Sequence, residues 1–258
     1  MENYLQRLAR SIGFLSRYPV PTRYFHGDDG SLGETSGMFA LSGVIIALPI
    51  ACIAALLSKF GTNEMLIAVL VLAMQTFITG ALHEDGLSDC VDGFWGGRNK
   101  EHILEIMRDS RLGAYGTLAL IFSILLKFVA LSTIIDQVGA VQLFILIPAI
   151  SGISRAVMVW HWRSLPPARQ DGVAKQVGIP TQRSFNENMI ASIMLIALPL
   201  IFGYNILNIV IAIPLTISCV YLFTKLADKK INGHTGDTIG ATQQISEAAL
   251  LFGFASLA

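Results

Sequence analysis

Long apolar runs alternate with short polar stretches along this chain. Runs long enough to form spanning helices cover residues 37–57, 65–82, 115–135, 140–160, 189–204 and 206–223, with a shorter last run at 245–258. A spanning helix needs about 20 mostly apolar residues. Backbone polar groups cannot stay unpaired in lipid, so these runs are expected to be helices. The pattern predicts an all-α fold, a polytopic transmembrane helical bundle of about seven spans. Ahead of the first run, Leu5, Leu8, Ile12 and Leu15 recur at helical spacing, with Arg7, Arg10 and Arg17 on other faces, and Pro19 and Pro21 end the stretch. Residues 1–36 therefore read as an N-terminal interfacial segment whose basic residues turn toward anionic headgroups. A plain orientation signal accounts for the same arginines.

Composition supports the membrane reading. Of the 258 residues, 53% are hydrophobic and 14% charged, against the ~25% charged residues of ordinary soluble domains. The mean hydropathy is +0.60, and residues 1–258 are expected to form a single integral membrane domain. The formal net charge is zero, so no basic surface points to nucleic acid. Arg7, Arg10, Arg17 and Arg23 precede the first run, and Arg98, Lys100, Arg108 and Arg111 lie between the second and third. Arg163, Arg169, Lys175 and Arg183 lie between the fourth and fifth, and Lys225, Lys229 and Lys230 follow the sixth; the alternate connections hold only Lys59. This bias puts the N-terminus in the cytosol. Cys52, Cys90 and Cys219 are far apart and suggest neither a disulfide framework nor a zinc site. No cleavable signal peptide is expected.

The chemistry concentrates in residues 83–113, read as a cytosolic acidic catalytic loop. If the second span continues as a helix, Asp85, Asp89 and Asp92 fall at i, i+4 and i+7 on one face. Carboxylates that close repel one another unless a divalent cation sits among them. Mg²⁺ suits such a donor set, with open positions for water and substrate phosphates. Gly86 and Gly93 are expected to let a bulky substrate approach the backbone. Arg108 and Arg111, at i and i+3, are spaced to face a phosphate together, and Asp109 is a further ligand or a partner for one of them. Arg98 and Lys100 read as orientation charges. Arg155, near the inner end of a span, is a functional candidate because a charge there is costly; snorkelling to the interface is the plain alternative. Near the end, Asn232-Gly233-His234-Thr235-Gly236-Asp237-Thr238-Ile239-Gly240 brings Asp237 toward the metal, or Thr235 and backbone amides toward a phosphate. Of the interfacial histidines only His234 has such a setting. Glu247 reads as a partner for Arg155 or a group behind the site, and Lys127 has no partner legible in the sequence.

The run His83-Glu84-Asp85-Gly86-Leu87-Ser88-Asp89-Cys90-Val91-Asp92-Gly93 and the later Leu104-Glu105-Ile106-Met107-Arg108-Asp109-Ser110-Arg111-Leu112-Gly113-Ala114-Tyr115-Gly116 closely resemble the cobalamin synthase (adenosylcobinamide-GDP ribazoletransferase) family. The resemblance extends to Phe14-Leu15-Ser16-Arg17-Tyr18-Pro19-Val20-Pro21, to Ser154-Arg155 and to residues 233–240, so it covers the chain in ordered patches. Glu84 departs from the family, which often has a hydrophobic residue there.

The resemblance implies a Mg²⁺-dependent enzyme of the inner membrane with its active site on the cytosolic side. Such an enzyme transfers the phosphocobinamide moiety of adenosylcobinamide-GDP to the 5′-side ribose hydroxyl of α-ribazole, or uses α-ribazole 5′-phosphate as acceptor, and releases GMP. On this reading Asp85, Asp89 and Asp92 are metal ligands, and Asp109 or Asp237 is a ligand or base. Arg111 and Arg155 clamp phosphate, with Arg108, Thr235 and His234 on the substrate. The bilayer is a partner. A homo-oligomer, and association with other late cobalamin-pathway enzymes through the N-terminal helix, are compatible with it. Two other readings stay open. One is a related membrane enzyme acting on Mg²⁺-diphosphate, such as a CDP-alcohol phosphotransferase or a prenyltransferase, although the D-x₃-D-x₂-D spacing differs from both patterns. The other is a transporter, whose site is expected near the bilayer midplane.

Overall fold

A computed structural model describes residues 3–27, 30–169 and 177–257; Lys175, counted above among the orientation charges, lies outside them. Among these residues the chain is all-α. The helices are α1 (Tyr4–Leu15), α2 (Phe39–Lys59), α3 (Glu64–Thr79), α4 (Leu82–Gly96), α5 (Lys100–Ile106), α6 (Ala114–Gln137), α7 (Ala140–Ser164), α8 (Gln182–Ile201), α9 (Ile206–Ile231) and α10 (Gly236–Ala255). Short 3₁₀ turns at Thr22–Phe25 and Thr35–Met38 connect α1 to α2.

Among the described residues, five helices have the length and apolarity to cross a membrane: the turn-extended α2 (Thr35–Lys59), α6, α7, α8 and α9. The bent pair of α3 and α4 brings the count to six at most, against the seven expected. Helix α10 occupies the place of the last expected run but begins at Gly236, and its first half is polar. Helix α7 is central, with 78% of its apolar window buried against 22% for α8. Small residues make this possible. A Cβ at Gly43 of α2 would come within 2.5 Å of the Ser151 carbonyl of α7, and one at Gly152 of α7 within 2.9 Å of the Ala40 carbonyl of α2. Close backbone approach of this kind is what holds helices together where lipid supplies no hydrophobic drive. The outer faces stay apolar, with Phe77, Phe122, Met194 and Leu222 exposed to form a lipid-facing belt.

The second apolar run does not continue into the acidic segment as expected. Gly80 (φ 64°) and Ala81 (φ 58°) both turn left-handed, and α4 leaves α3 at 88°. The residues expected as a loop are thus a separate helix lying across the end of the bundle, followed by the short α5. Left-handed backbone costs Ala81 about 1–2 kcal/mol. Neighbouring contacts hold the bend: Arg17 N–H donates to the Ile78 carbonyl at 2.7 Å, and the Arg17 side chain occupies the space a Cβ at Gly80 would need.

Helix α1 also differs from expectation. Its arginines turn inward: Arg7 and Arg10 are buried, while Tyr4, Leu5 and Phe14 are exposed. Arg7 pairs with Glu187 of α8 and donates from Nε to the Glu34 carbonyl at 2.9 Å; Arg10 Nε donates to the Tyr24 carbonyl at 2.7 Å. Tyr4, Leu5 and Phe14 are left on the outside, while Leu15 is fully buried against Phe39 and Trp162. Truncating Arg7 leaves the partly buried Glu187 with only Arg183. Hydrogen bonds to charged groups contribute about 1.5–3 kcal/mol each. Arg7→Ala is therefore expected to lower the unfolding temperature in detergent by several degrees, with Lys59→Ala, at an exposed site, as an unchanged control.

Candidate active site

Helix α4 carries Asp85, Asp89 and Asp92 along one face, and the first turn of α10 lies directly on it. A Cβ at Gly86 would come within 2.7 Å of the Asp237 carbonyl, and one at Gly240 within 3.4 Å of the Leu82 carbonyl. Gly86 therefore admits the backbone of α10 rather than a substrate, and Gly93 likewise admits Met107 and Ile103 beside α5. Thr235 caps α10, accepting from Thr238 N–H at 3.3 Å, and its hydroxyl donates to Asp237 Oδ2 at 3.1 Å.

This packing concentrates negative charge. The half-buried Asp89 is pushed up to about 7, first by burial and then by Asp85, Asp237 and Asp92. Asp237 is also raised by burial and by Asp85, against the opposing pull of the Thr235 hydroxyl and of Arg169. Asp85, Asp89 and Asp237 thus form an acidic ridge drawn from helices far apart in sequence.

Two hollows flank the ridge. The segment before α8 pairs with the start of α10: His234 N–H donates to the Pro166 carbonyl and Ala168 N–H to the His234 carbonyl, both at 2.8 Å. This sets Arg169 where it acts on Asp237, and Arg169 Nη2 donates to the Leu104 carbonyl at 2.6 Å. Arg169 lines a cleft of about 400 Å³ with Lys100, Glu101, Leu104, Glu105, Arg108 and Ala168. On the other side, Asp85 and Asp237 form part of the wall of a mainly apolar cavity of about 280 Å³.

Other expected residues take different places. Asp92 accepts from the N–H groups of Gly113 and Gly116, each at 2.8 Å, so it braces α4 against the start of α6. A Cβ at Gly116 would meet the Asp92 carboxylate at 2.3 Å. Asp109 and Arg111 bind each other at 2.5 Å in the exposed turn before α6. Hydrogen bonds from Arg111 pull Asp109 down to about 2, which makes it a weak base. Arg155 is buried and donates from Nη1 to the Ser151 hydroxyl and carbonyl at 2.6 and 3.0 Å, beneath the ridge rather than on it. His234 is fully buried, its Nδ1 2.9 Å from the Leu165 carbonyl. Arg108 does line the cationic cleft. Glu247 pairs with Lys127 at 3.2 Å, giving that lysine the partner the sequence did not reveal. Sequence reasoning missed Arg169 as a site residue, since a loop arginine reads as an orientation charge.

The model of the cobalamin-5-phosphate synthase family matches residues 7–255. The chain belongs to this family. The adenosylcobinamide-GDP ribazoletransferase of Sinorhizobium medicae (strain WSM419) is 45% identical over 246 residues, covering 95% of this chain and 94% of that protein. That of Rhizobium meliloti (strain 1021) is 47% identical over 248 residues, with coverage of 95% and 94%. That of Brucella anthropi is 36% identical over 244 residues, with the same coverage. No solved structure matches the chain. Family membership bears out the resemblance carried by the acidic and glycine-rich segments and sets aside the transporter and CDP-alcohol readings.

The ridge carries a cost that depends on pH. A carboxyl group raised on folding binds more protons in the native than in the unfolded state between pH ~4 and 7. Stability is then lost as pH rises through that window. In EDTA at pH 8, Asp89→Asn is therefore expected to melt above the wild type, and the difference should close toward pH 4 when thermal unfolding is followed in detergent.

Proposed function

We propose that this chain, a multi-pass protein of the cell inner membrane with its acidic ridge on the cytosolic side, joins adenosylcobinamide-GDP to α-ribazole or α-ribazole 5′-phosphate. The phosphocobinamide moiety is transferred and GMP is released. The observation that carries this reading is the convergence of Asp85, Asp89 and Asp237 beside the Arg169 cleft, in a chain of this family. The membrane side rests on the Lys and Arg bias of the connections.

Mg²⁺ fits the ridge as an open site. Among the described residues, no three acidic, histidine or cysteine side chains form a ready-made cage. Mg²⁺ is commonly held by one or two carboxylates together with water and substrate phosphates, so a cage is not required. The hard oxygens of Asp85 and Asp89 would hold it, and the raised Asp89, pushed up to about 7 first by burial and then by the neighbouring carboxylates, marks a place where a cation is favoured. Asp92 serves by bracing α4. When bound, the cation would neutralise charge on the diphosphate.

An acceptor carrying a 5′-phosphate has no free 5′-hydroxyl. The attacking group is therefore a secondary ribose hydroxyl, not the 5′ oxygen expected from the resemblance. Its oxygen bonds to the phosphorus next to the cobinamide arm. The bond from that phosphorus to the bridging oxygen breaks, and GMP leaves with the bridging oxygen. Asp237, fixed by the Thr235 hydroxyl in the wall of the cavity and under the charge of Arg169 from the cleft, accepts the hydroxyl proton. Arg169 and Arg108, with Lys100, meet the departing phosphate in the cleft.

The test is GMP release from adenosylcobinamide-GDP by purified protein in detergent, with and without α-ribazole, in Mg²⁺ or EDTA. Release is expected to need both. Asp85→Asn and Asp237→Asn should each lower kcat by on the order of 10², the scale of losing one electrostatic group of a reaction centre. Arg169→Ala should raise KM for adenosylcobinamide-GDP. Release independent of α-ribazole, or undiminished in Asp237→Asn, would reject the reading.

A further inference from the structure

The apolar cavity on the other side of the ridge has a wall of aromatic rings. Phe14 of α1 stacks on Phe39 of α2 at 6.1 Å between centroids with 16° between planes, and Phe39 lies 6.4 Å from Trp162 of α7. These three rings line the cavity together with His83, Asp85 and Asp237. Trp162 and His83 are 2% and 1% exposed, yet Trp162 Nε1 and His83 Nε2 have no hydrogen-bond partner within the protein. A buried polar atom left unpaired costs about 1–3 kcal/mol, and two residues that carry such an atom line this one cavity, so a ligand that draws the two rings toward it would supply the missing partners.

The chemistry of the wall selects the ligand. The exposed ring of Phe14, backed by the buried Phe39 and Trp162, suits a planar ring, which stacks on it. The indole N–H is an obligate donor, so the ring needs an acceptor atom at its edge, whereas the imidazole nitrogen can give to or take from a hydroxyl. A guanylate brings its phosphate with it, and this wall holds Asp85 and Asp237 but no lysine or arginine to meet one, whereas the cleft of Arg169 holds three cationic side chains. A mainly apolar fused heterocycle with one free ring nitrogen is satisfied. The volume, about 280 Å³, is just below the usual ~300–1,000 Å³ of small-molecule sites and suits a base rather than a whole nucleotide.

We propose that this cavity is the acceptor subsite: it holds the apolar aromatic base of a ribonucleoside against the wall of Phe14, Phe39 and Trp162, with the ribose turned to Asp85 and Asp237. The inference rests on the transferase reading above and adds the division of the substrates, the acceptor's base in the aromatic cavity and the donor's guanylate in the cleft of Arg169. It also gives Phe14, in the N-terminal segment that no step of the transfer uses, a task at the site.

The test separates KM values for the two substrates. Phe14→Ala removes a half-exposed ring, and Trp162→Phe keeps the ring while removing its N–H. Base stacking is worth about 1–3 kcal/mol, and 1.4 kcal/mol is tenfold. Phe14→Ala is therefore expected to raise KM for α-ribazole about tenfold, and Trp162→Phe about fivefold. In both, KM for adenosylcobinamide-GDP and kcat at saturating acceptor should stay within twofold. An acceptor KM within twofold of wild type in Phe14→Ala, or a rise in the donor's KM instead, overturns the assignment; should Trp162→Phe fail to accumulate, Phe14→Ala decides alone. Wild-type protein without α-ribazole-dependent GMP release would reject the transferase reading itself, before any variant is made.

Discussion

The approach of α10 onto α4 at Gly86 is the contact on which the reaction centre depends. Any side chain there would meet the Asp237 carbonyl, and without that approach Asp85 and Asp89 would face solvent as two carboxylates on one short helix. With it, burial and then the approach of carboxylates about 150 positions apart in sequence raise Asp89 to about 7. Such an arrangement is unfavourable in isolation. It persists because both helices are tied down beneath it. Gln244 of α10 donates to Glu84 of α4 at 3.1 Å, and Asp92 clamps the far end of α4 to α6.

Below the ridge, α10 carries a polar seam into the bundle. Lys127 Nζ donates to Gln244 at 2.7 Å and to Glu247 at 3.2 Å, and Gln243 donates to the Ser154 hydroxyl at 3.2 Å. Lys127 and Arg155 together balance Glu84 and Glu247 in formal charge, and all four are buried. Removing one member would strand an opposite charge, which is far costlier than replacing the whole set with apolar groups. The seam therefore makes the position of α10 all-or-none. Sliding along α4 would break several buried polar contacts at once, whereas a purely apolar contact could slip with little penalty.

The sequence carried the apolar runs, the helical face of Asp85, Asp89 and Asp92, and the family likeness, because each rests on local spacing. What it did not carry depends on tertiary structure or on which solvent a face meets. The break at Gly80 and Ala81 falls inside an apolar stretch with no proline, and only the glycine hints at a helix end. Gly86, Gly93 and Gly116 read equally as room for a ligand or room for another helix, and only the fold shows the neighbour. The glycine-rich setting marks Asp237 as a candidate, but its neighbour, the Gly86 turn of α4, follows only from the fold. Arg169 looked like any loop arginine near a membrane.

The face of α1 shows the same limit in its sharpest form. Leu5, Leu8, Ile12 and Leu15 at helical spacing mark one side of the helix but do not say whether that side meets protein or lipid. The arginines decide it, because a buried guanidinium needs fixed acceptors and the bundle supplies them: Glu187 and the Glu34 and Tyr24 carbonyls. Ser42 adds a hydrogen bond to Ser11 at 2.7 Å. Apolar contact is non-directional and sets the rotation of such a helix only broadly. Directional polar contacts remove the remaining freedom and fix the rotation about the α1 axis. That rotation in turn sets where Phe14 points, so the polar side of α1 determines the position of an aromatic ring at the wall of the cavity beside the acidic ridge.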